Sequence, residues 1–205
     1  DLPVALSAFD DGIAFVKGHG TGNDFVLLPD PDGELELSAQ LVSALCHRRF
    51  GLGADGVLRV VRTKAVPEAD GGSDAEWFMD YRNADGSLAE MCGNGIRVFA
   101  RYLADAGLVP EGPVRIATRS GVRTVTRDGD LYTAELGRAT VLGETKVTVE
   151  GRTWPALHVD VGNPHAVVLL DDLAEAGSLA EEPAYDAELF PEGVNIELVV
   201  RRGPD

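Results

Sequence analysis

At 205 residues the chain has room for one large domain or two small ones, and 44% hydrophobic with 25% charged residues is the balance of a globular protein with a real core. With 18 basic against 34 acidic residues the net charge is −16, a surface that repels phosphate backbones and anionic lipid, so neither nucleic acid nor membrane is expected as a partner. The acidity is spread along the chain and no run reaches the roughly 18 apolar residues of a membrane span. The opening DLPVALSAFDDG lacks the regions of a secretion signal, which makes the cytoplasm the expected compartment, and there two cysteines are two thiols rather than a disulfide framework.

Residues 1–12 carry little pattern and are left out of the expected fold. Ile13 to Lys17 alternates like a strand, GHGTGND is a glycine-rich turn, and FVLLP is a second extended run that ends in the turn PDPDG. Ser38 stands as an N-cap before Leu41, Val42, Leu45 and Cys46 at helical spacing, and the helix ends in the basic HRR and Gly51. Cys46 thus falls on the apolar stripe and reads as a core residue. GADGVLRVVR predicts a turn and a strand, and EWFMDYRN another strand that delivers Asn83 to the turn NADGS. Ile96, Phe99 and Leu103 then recur at i, i+3 and i+7, with Gly107 at a helix C-terminus, so MCGNG opens a helix of about three turns. From Val114 the period changes to two, and VRIATR, VRTVTR and LYTAEL read as a meander. VTVEG, ALHVDVG, HAVVLL and NIELVVRR predict further strands, with one short turn near Leu173 to Gly177. No internal repeat is evident.

MCGNG concentrates the chemistry. A helix N-terminus favours a thiolate through its dipole and unpaired N–H groups, and Cys92 sits at such a place. Gly93 and Gly95 let backbone approach a bound group, and the free amides there suit a carboxylate. The bland alternative is a small buried cysteine beside an asparagine that merely caps the helix. Asn23, Asn83, Asn163 and Asn195 all lie at strand ends or turns, where asparagine is common; together, their amides suit a doubly zwitterionic small molecule. His165 is a turn or core histidine or a neighbour that tunes a thiolate. His19, His47, His158 and His165 lack ligand spacing with either cysteine, so no metal site is expected. No dinucleotide, Walker or serine-hydrolase motif occurs in the sequence.

The blocks FVKGHGTGNDFVLL, RRFGLGADGVL, DYRNADGSLAEMCGNGIRVFARYL, VDVGNPHAVVL and GVNIELV resemble the successive blocks of the diaminopimelate epimerase family, in that family's order, from Ile13 to Val199. Proline racemases look similar around the thiol but typically carry a histidine where Asn94 stands. The resemblance implies an α/β fold of the α+β type, with two similar domains, 13–136 and 137–205, each wrapping a mainly antiparallel sheet around a central helix. It implies cofactor-independent interconversion of LL- and meso-diaminopimelate, in lysine and cell-wall precursor synthesis, by two thiols that face the α-carbon from opposite sides. Cys92 matches the first-domain catalytic cysteine. Gly93 and Asn94 match positions that bind the reacting carboxylate, Asn23, Asn83, Asn163 and Asn195 match substrate-binding asparagines, and His165 matches a histidine that adjusts a thiol's acidity. A homodimer is implied, and no cofactor or metal.

Two departures accompany the resemblance. The family's second cysteine lies in a Cys-Gly-Thr-Gly block that opens the second domain's central helix, and the sequence stops at VVRRGPD before it. The second domain is therefore expected to be incomplete, with an apolar sheet face left exposed and the 205 residues inactive alone. Gly56 stands where some members place a substrate-contacting side chain. Two further readings stay open: another two-base racemase or isomerase of the same fold, and a non-catalytic ligand-binding protein.

Overall fold

The computed structural model describes residues 12–69 and 73–203, so the patternless opening stretch, Gly12 excepted, lies outside the described residues. The chain forms two units, one ending at Leu136 and one starting at Gly137.

The first unit holds β1 (Val16–Gly20), β2 (Asn23–Pro29), β3 (Gly56–Arg62), β4 (Trp77–Asn83), β5 (Val114–Thr118), β6 (Gly121–Asp128) and β7 (Leu131–Ala134), side by side in chain order in one seven-stranded sheet. The pairs β2–β3 and β4–β5 are parallel, and each is bridged by a helix, α1 (Ala39–Cys46) and α2 (Gly93–Asp105); the other pairs are antiparallel. Strand β1 starts at Val16 rather than Ile13 and runs on to Gly20, because the expected glycine-rich loop shrinks to Thr21 and Gly22. Both have positive φ, 53° and 87°, the twist that closes a two-residue hairpin.

Strand β2 is apolar on both faces, and each face has its own helix. Phe25 and Leu27 join Leu58, Val60, Trp77, Met79, Tyr81, Ile116 and Val125 against Ile96, Phe99, Ala100 and Leu103 of α2. Val26 and Leu28 point the other way, onto Leu41, Val42 and Cys46 of α1. Helix α1 starts as expected, with Ser38 Oγ accepting from Leu41 N at 3.2 Å, but it stops at Cys46, so HRR lies beyond its last turn. Helix α2 closes with Gly107 N donating to Ala104 O (3.1 Å) and Leu108 N to Leu103 O (2.9 Å), a Schellman motif with Gly107 at φ 67°. On the α1 side of the sheet Asp80 is fully buried among Arg59, Arg82 and Arg119, at 2.9, 2.9 and 2.6 Å. Burial works against its charge, but the hydrogen bonds from Arg82 and Arg119 outweigh it and hold the carboxyl below the usual range.

The second unit is a five-stranded sheet of β8 (Thr140–Val149), β9 (Arg152–Asp160), β10 (Pro164–Leu170), β11 (Ala184–Tyr185) and β12 (Asn195–Val200), ordered β11-β8-β9-β10-β12. Only β10 and β12 run parallel. Strand β8 begins well before the expected VTVEG, because an irregularity between Val141 and Gly143 breaks the alternation. Its inner face buries Val147, Val149, Trp154, Ala156, Ala166, Val168 and Leu170 over Ala176 of a 3₁₀ turn, Leu173–Ala176. The opposite face exposes Leu157, Leu169 (59%) and Val199.

A backbone repeat underlies the two sheets. β1-β2-β3 and β9-β10-β12 share a pattern: an antiparallel pair joined by a short turn ending in Gly-Asn, then a parallel third strand. Phe25 pairs with Gly56 in one and His165 with Asn195 in the other, each two residues after its Gly-Asn asparagine. The repeat is carried by backbone pairing, and that is why the sequence hides it.

Candidate active site

Cys92 is itself the N-cap of α2. Its backbone is extended (φ −143°), its carbonyl accepts from Ile96 N at 2.9 Å, and its Sγ accepts from Gly95 N at 3.4 Å. The bland reading, in which Asn94 caps the helix, is therefore replaced: the sulfur is the cap, and it is only half-buried. That leaves the Gly93 and Asn94 N–H groups at the start of the helix, where an anion is favoured. Tyr81 is packed near the sulfur; burial, then the Cys92 charge, push its phenol up to about 12.

The Asn94 side chain is fixed from one end. Its Oδ1 accepts from Thr21 Oγ1 (3.0 Å) and Arg97 Nη2 (2.6 Å), which turns Nδ2 toward Asn23 Oδ1 at 3.4 Å. The same Asn23 Oδ1 accepts from Cys92 Sγ at 3.5 Å. The approach of β1 to α2 is close enough that a Cβ on Gly20 would lie 3.0 Å from Asn94 O, a tight contact that favours glycine where hairpin and helix meet. Gly93 lies against Leu136 and is half-buried.

Asn83 is reached through strand register. It pairs with Gly56, which pairs with Phe25, two residues past Asn23, so three strand ends line up at one edge of the sheet. Its amide donates to Ser87 Oγ at 3.0 Å within the NADGS turn. Gly56 cannot carry a side chain as the chain stands, because a Cβ there would meet Arg82 O at 2.6 Å and the Tyr81 ring at 2.8 Å. In the second unit His165 Nδ1 lies 2.7 Å from Glu197 Oε1 and Nε2 lies 3.0 Å from Asn163 Oδ1, while Asn195 Nδ2 donates to Pro164 O at 3.2 Å. Asn163, His165 and Asn195 thus gather at the starts of β10 and β12.

Thr21, Tyr81 and Arg97, beside Cys92 or Asn94, and Asp55, behind Asn23, carry no motif signal in the sequence. Arg48 spans Asp24 (2.8 Å) and Asp55 (2.8 Å), and Lys17 adds a bond to Asp24 at 2.7 Å. Arg48 chiefly holds Asp24 well below the usual carboxylate range, and Asp24 in turn raises Arg48. Cys46, on the buried face of α1, is pushed up to about 11 by burial and then by the Asp24 charge, a thiol without a path to chemistry. Among the described residues no group of three or more His, Cys, Asp or Glu is arranged to hold a metal, and no helix is long and apolar enough to cross a membrane.

A thiol at a helix N-terminus, beneath a paired-amide cluster and on a sheet wrapped around that helix, defines the class: the curled α+β fold of racemases and related isomerases. Solved structures bear this out for the fold. A phenazine biosynthesis PhzC/PhzF protein from Clostridium difficile superposes with a TM-score of 0.56 at 15% identity, covering 93% of this chain and 69% of that one. A hydroxyproline epimerase from Agrobacterium vitis gives 0.52 at 16% identity, covering 82% and 54%. In sequence, the profile of the diaminopimelate epimerase family matches residues 15–142. The chain is 57% identical over 197 residues to the diaminopimelate epimerase of Streptomyces coelicolor, covering 94% of this chain and 68% of that protein. Against that of Thermobifida fusca it is 52% identical, covering 90% and 69%. The chain belongs to the diaminopimelate epimerase family.

Proposed function

We propose that the protein interconverts LL- and meso-diaminopimelate by moving the α-proton between two thiols, with Cys92 as one of them, in the cytoplasmic supply of lysine and cell-wall precursor. One observation carries the reading: Cys92 caps α2 while the N–H groups of Gly93 and Asn94 stay at the helix start. Removing an α-proton from an amino acid builds negative charge on its carboxylate. Donors fixed in advance at that point lower the barrier without reorganising, and they need no electron-sink cofactor to do so. Cys92 then takes or returns the proton on one face of the α-carbon.

The returning thiol is not Cys46, which is buried behind the sheet among Val26, Leu28 and Val57. The 205 residues hold no third cysteine, so Cys92 is the one thiol among them proposed to move the proton. Asn23, Asn83, Asn163 and Asn195 are the proposed substrate-binding amides, and His165, whose Nε2 lies 3.0 Å from Asn163 Oδ1, is the proposed neighbour that adjusts a thiol's acidity. A homodimer is the proposed assembly.

Asn94 separates this reading from proline racemisation, because a side chain held by Thr21 and Arg97 offers amide N–H rather than an imidazole. The test is to offer the full-length enzyme LL-diaminopimelate and L-proline side by side, without pyridoxal phosphate, and resolve stereoisomers by chiral chromatography. Conversion of diaminopimelate with proline untouched supports the proposal; faster racemisation of proline overturns it.

A further inference from the structure

The Asn23 amide has two ends, and only one arrangement fits its neighbours. Asp55 Oδ2 lies 2.8 Å from one end. An ionised carboxylate only accepts hydrogen bonds, so that end must be the Nδ2 donor and the carbonyl must face the other way. The other way is toward Cys92 Sγ (3.5 Å) and Asn94 Nδ2 (3.4 Å). Asp55 is itself held: its Oδ1 accepts from Arg48 Nη2 at 2.8 Å, and its Oδ2 accepts from Asp24 N at 3.1 Å. Arg48 is anchored a second time on Asp24, which Lys17 also grips while reaching the Gly53 carbonyl.

We propose that Asp55, braced by Arg48, is a positioning residue that fixes the carbonyl end of the Asn23 amide on the Cys92 thiol. The claim rests on Cys92 being a proton-transfer thiol but adds a component to it. A carbonyl oxygen accepts from S–H and repels a thiolate, whereas the Gly95 N–H on the other side of the sulfur donates to either form. With the amide turned this way, the proton of Cys92 has a defined seat between Sγ and Oδ1. With the amide free to turn over, its NH₂ end would face the sulfur and reward the charged form instead. Asp55 never touches the reacting atoms; it decides which end of the amide does.

The experiment reads the sulfur directly. In the full chain, the rate of iodoacetamide modification at Cys92 near neutral pH, located by peptide mass, is compared in wild type, Asp55→Ala, Asn23→Ala and the double variant. Each single change releases the thiol from the carbonyl and is expected to speed modification at least about threefold, and the double variant is expected to match Asn23→Ala alone. In infrared spectra the Cys92 S–H band, assigned by its loss in Cys92→Ala, is expected to move toward a free-thiol frequency in Asp55→Ala. An unchanged S–H band and rate in Asp55→Ala, or a full Asp55 effect persisting in the Asn23→Ala background, overturns the proposal, because Asp55 would then act by charge or general loosening. If Asp55→Ala fails to fold, Asp55→Asn is read in the same cycle, with the same non-additivity expected and additivity overturning it. Turnover is not the readout, so the positioning claim and the epimerase reading fail separately.

Discussion

Two buried side chains set the terms for stability around the site. Asp80 has no exposure and three guanidinium partners, so removing its charge leaves Arg59, Arg82 and Arg119 facing one another. Asp80→Asn is expected to cost about 3–5 kcal/mol in urea unfolding at neutral pH, the usual loss on breaking a buried ion pair. The sign with pH follows from a folded carboxyl held below its unfolded value of about 4. The stability Asp80 contributes is present above that value and is lost as pH falls through the folded one, so the gap between wild type and variant should narrow in melts below about pH 4. Gly56 is the second case. A Cβ there meets the Arg82 backbone oxygen and the buried Tyr81 ring, so Gly56→Ala is expected to lose about 1–3 kcal/mol in the same measurement. The packing of β4 closes this position to any side chain. The thiols also divide cleanly: Cys46, buried and raised to about 11, should resist iodoacetamide at pH 8 while Cys92 is modified, and peptide mass mapping decides.

Helix α2 links architecture and chemistry, because one sulfur both caps its N-terminus and is the proposed proton carrier. These duties separate by substitution. Serine keeps an oxygen for the Gly95 N–H and alanine does not, so Cys92→Ala is expected to be less stable than Cys92→Ser by about 0.5–2 kcal/mol in thermal or chemical melts, with both inactive. Equal stability would show that the sulfur is no cap. The helix was legible in the sequence because its pattern is local: Ile96, Phe99 and Leu103 face the sheet, and Gly107 closes the end at positive φ. Ser38 before α1 was legible for the same reason. Strand β8 was not, since its first residues are exposed and its alternation breaks at Gly143. The HRR segment looked like charge placed against a helix dipole, yet Arg48 turns away to Asp24 and Asp55. The Asp24 contact joins residues 24 apart in the chain, and neither contact follows a helical or strand period.

The two units repeat a hairpin and its parallel neighbour, and both place a Gly-Asn pair at the turn. Sequence motifs point to the candidate site residues one by one: Cys92, Gly93, Asn94, Asn23, Asn83, Asn163, Asn195 and His165 each stand in one of the family-like blocks. What motifs could not carry was orientation. Which end of Asn23 meets the sulfur, and that Thr21 pins Asn94, depend on tertiary hydrogen bonds that leave no periodic signal. The family supplies the substrate, and the fold supplies a reason for it: a thiol, free helix amides and paired carboxamides brought together at one sheet edge. The most direct measurement runs the full-length enzyme on LL-diaminopimelate in deuterated water, in wild type and Cys92→Ala. The account predicts that wild type yields meso product with solvent deuterium at the inverted α-carbon and that Cys92→Ala yields none. Inversion at the wild-type rate by Cys92→Ala would contradict it.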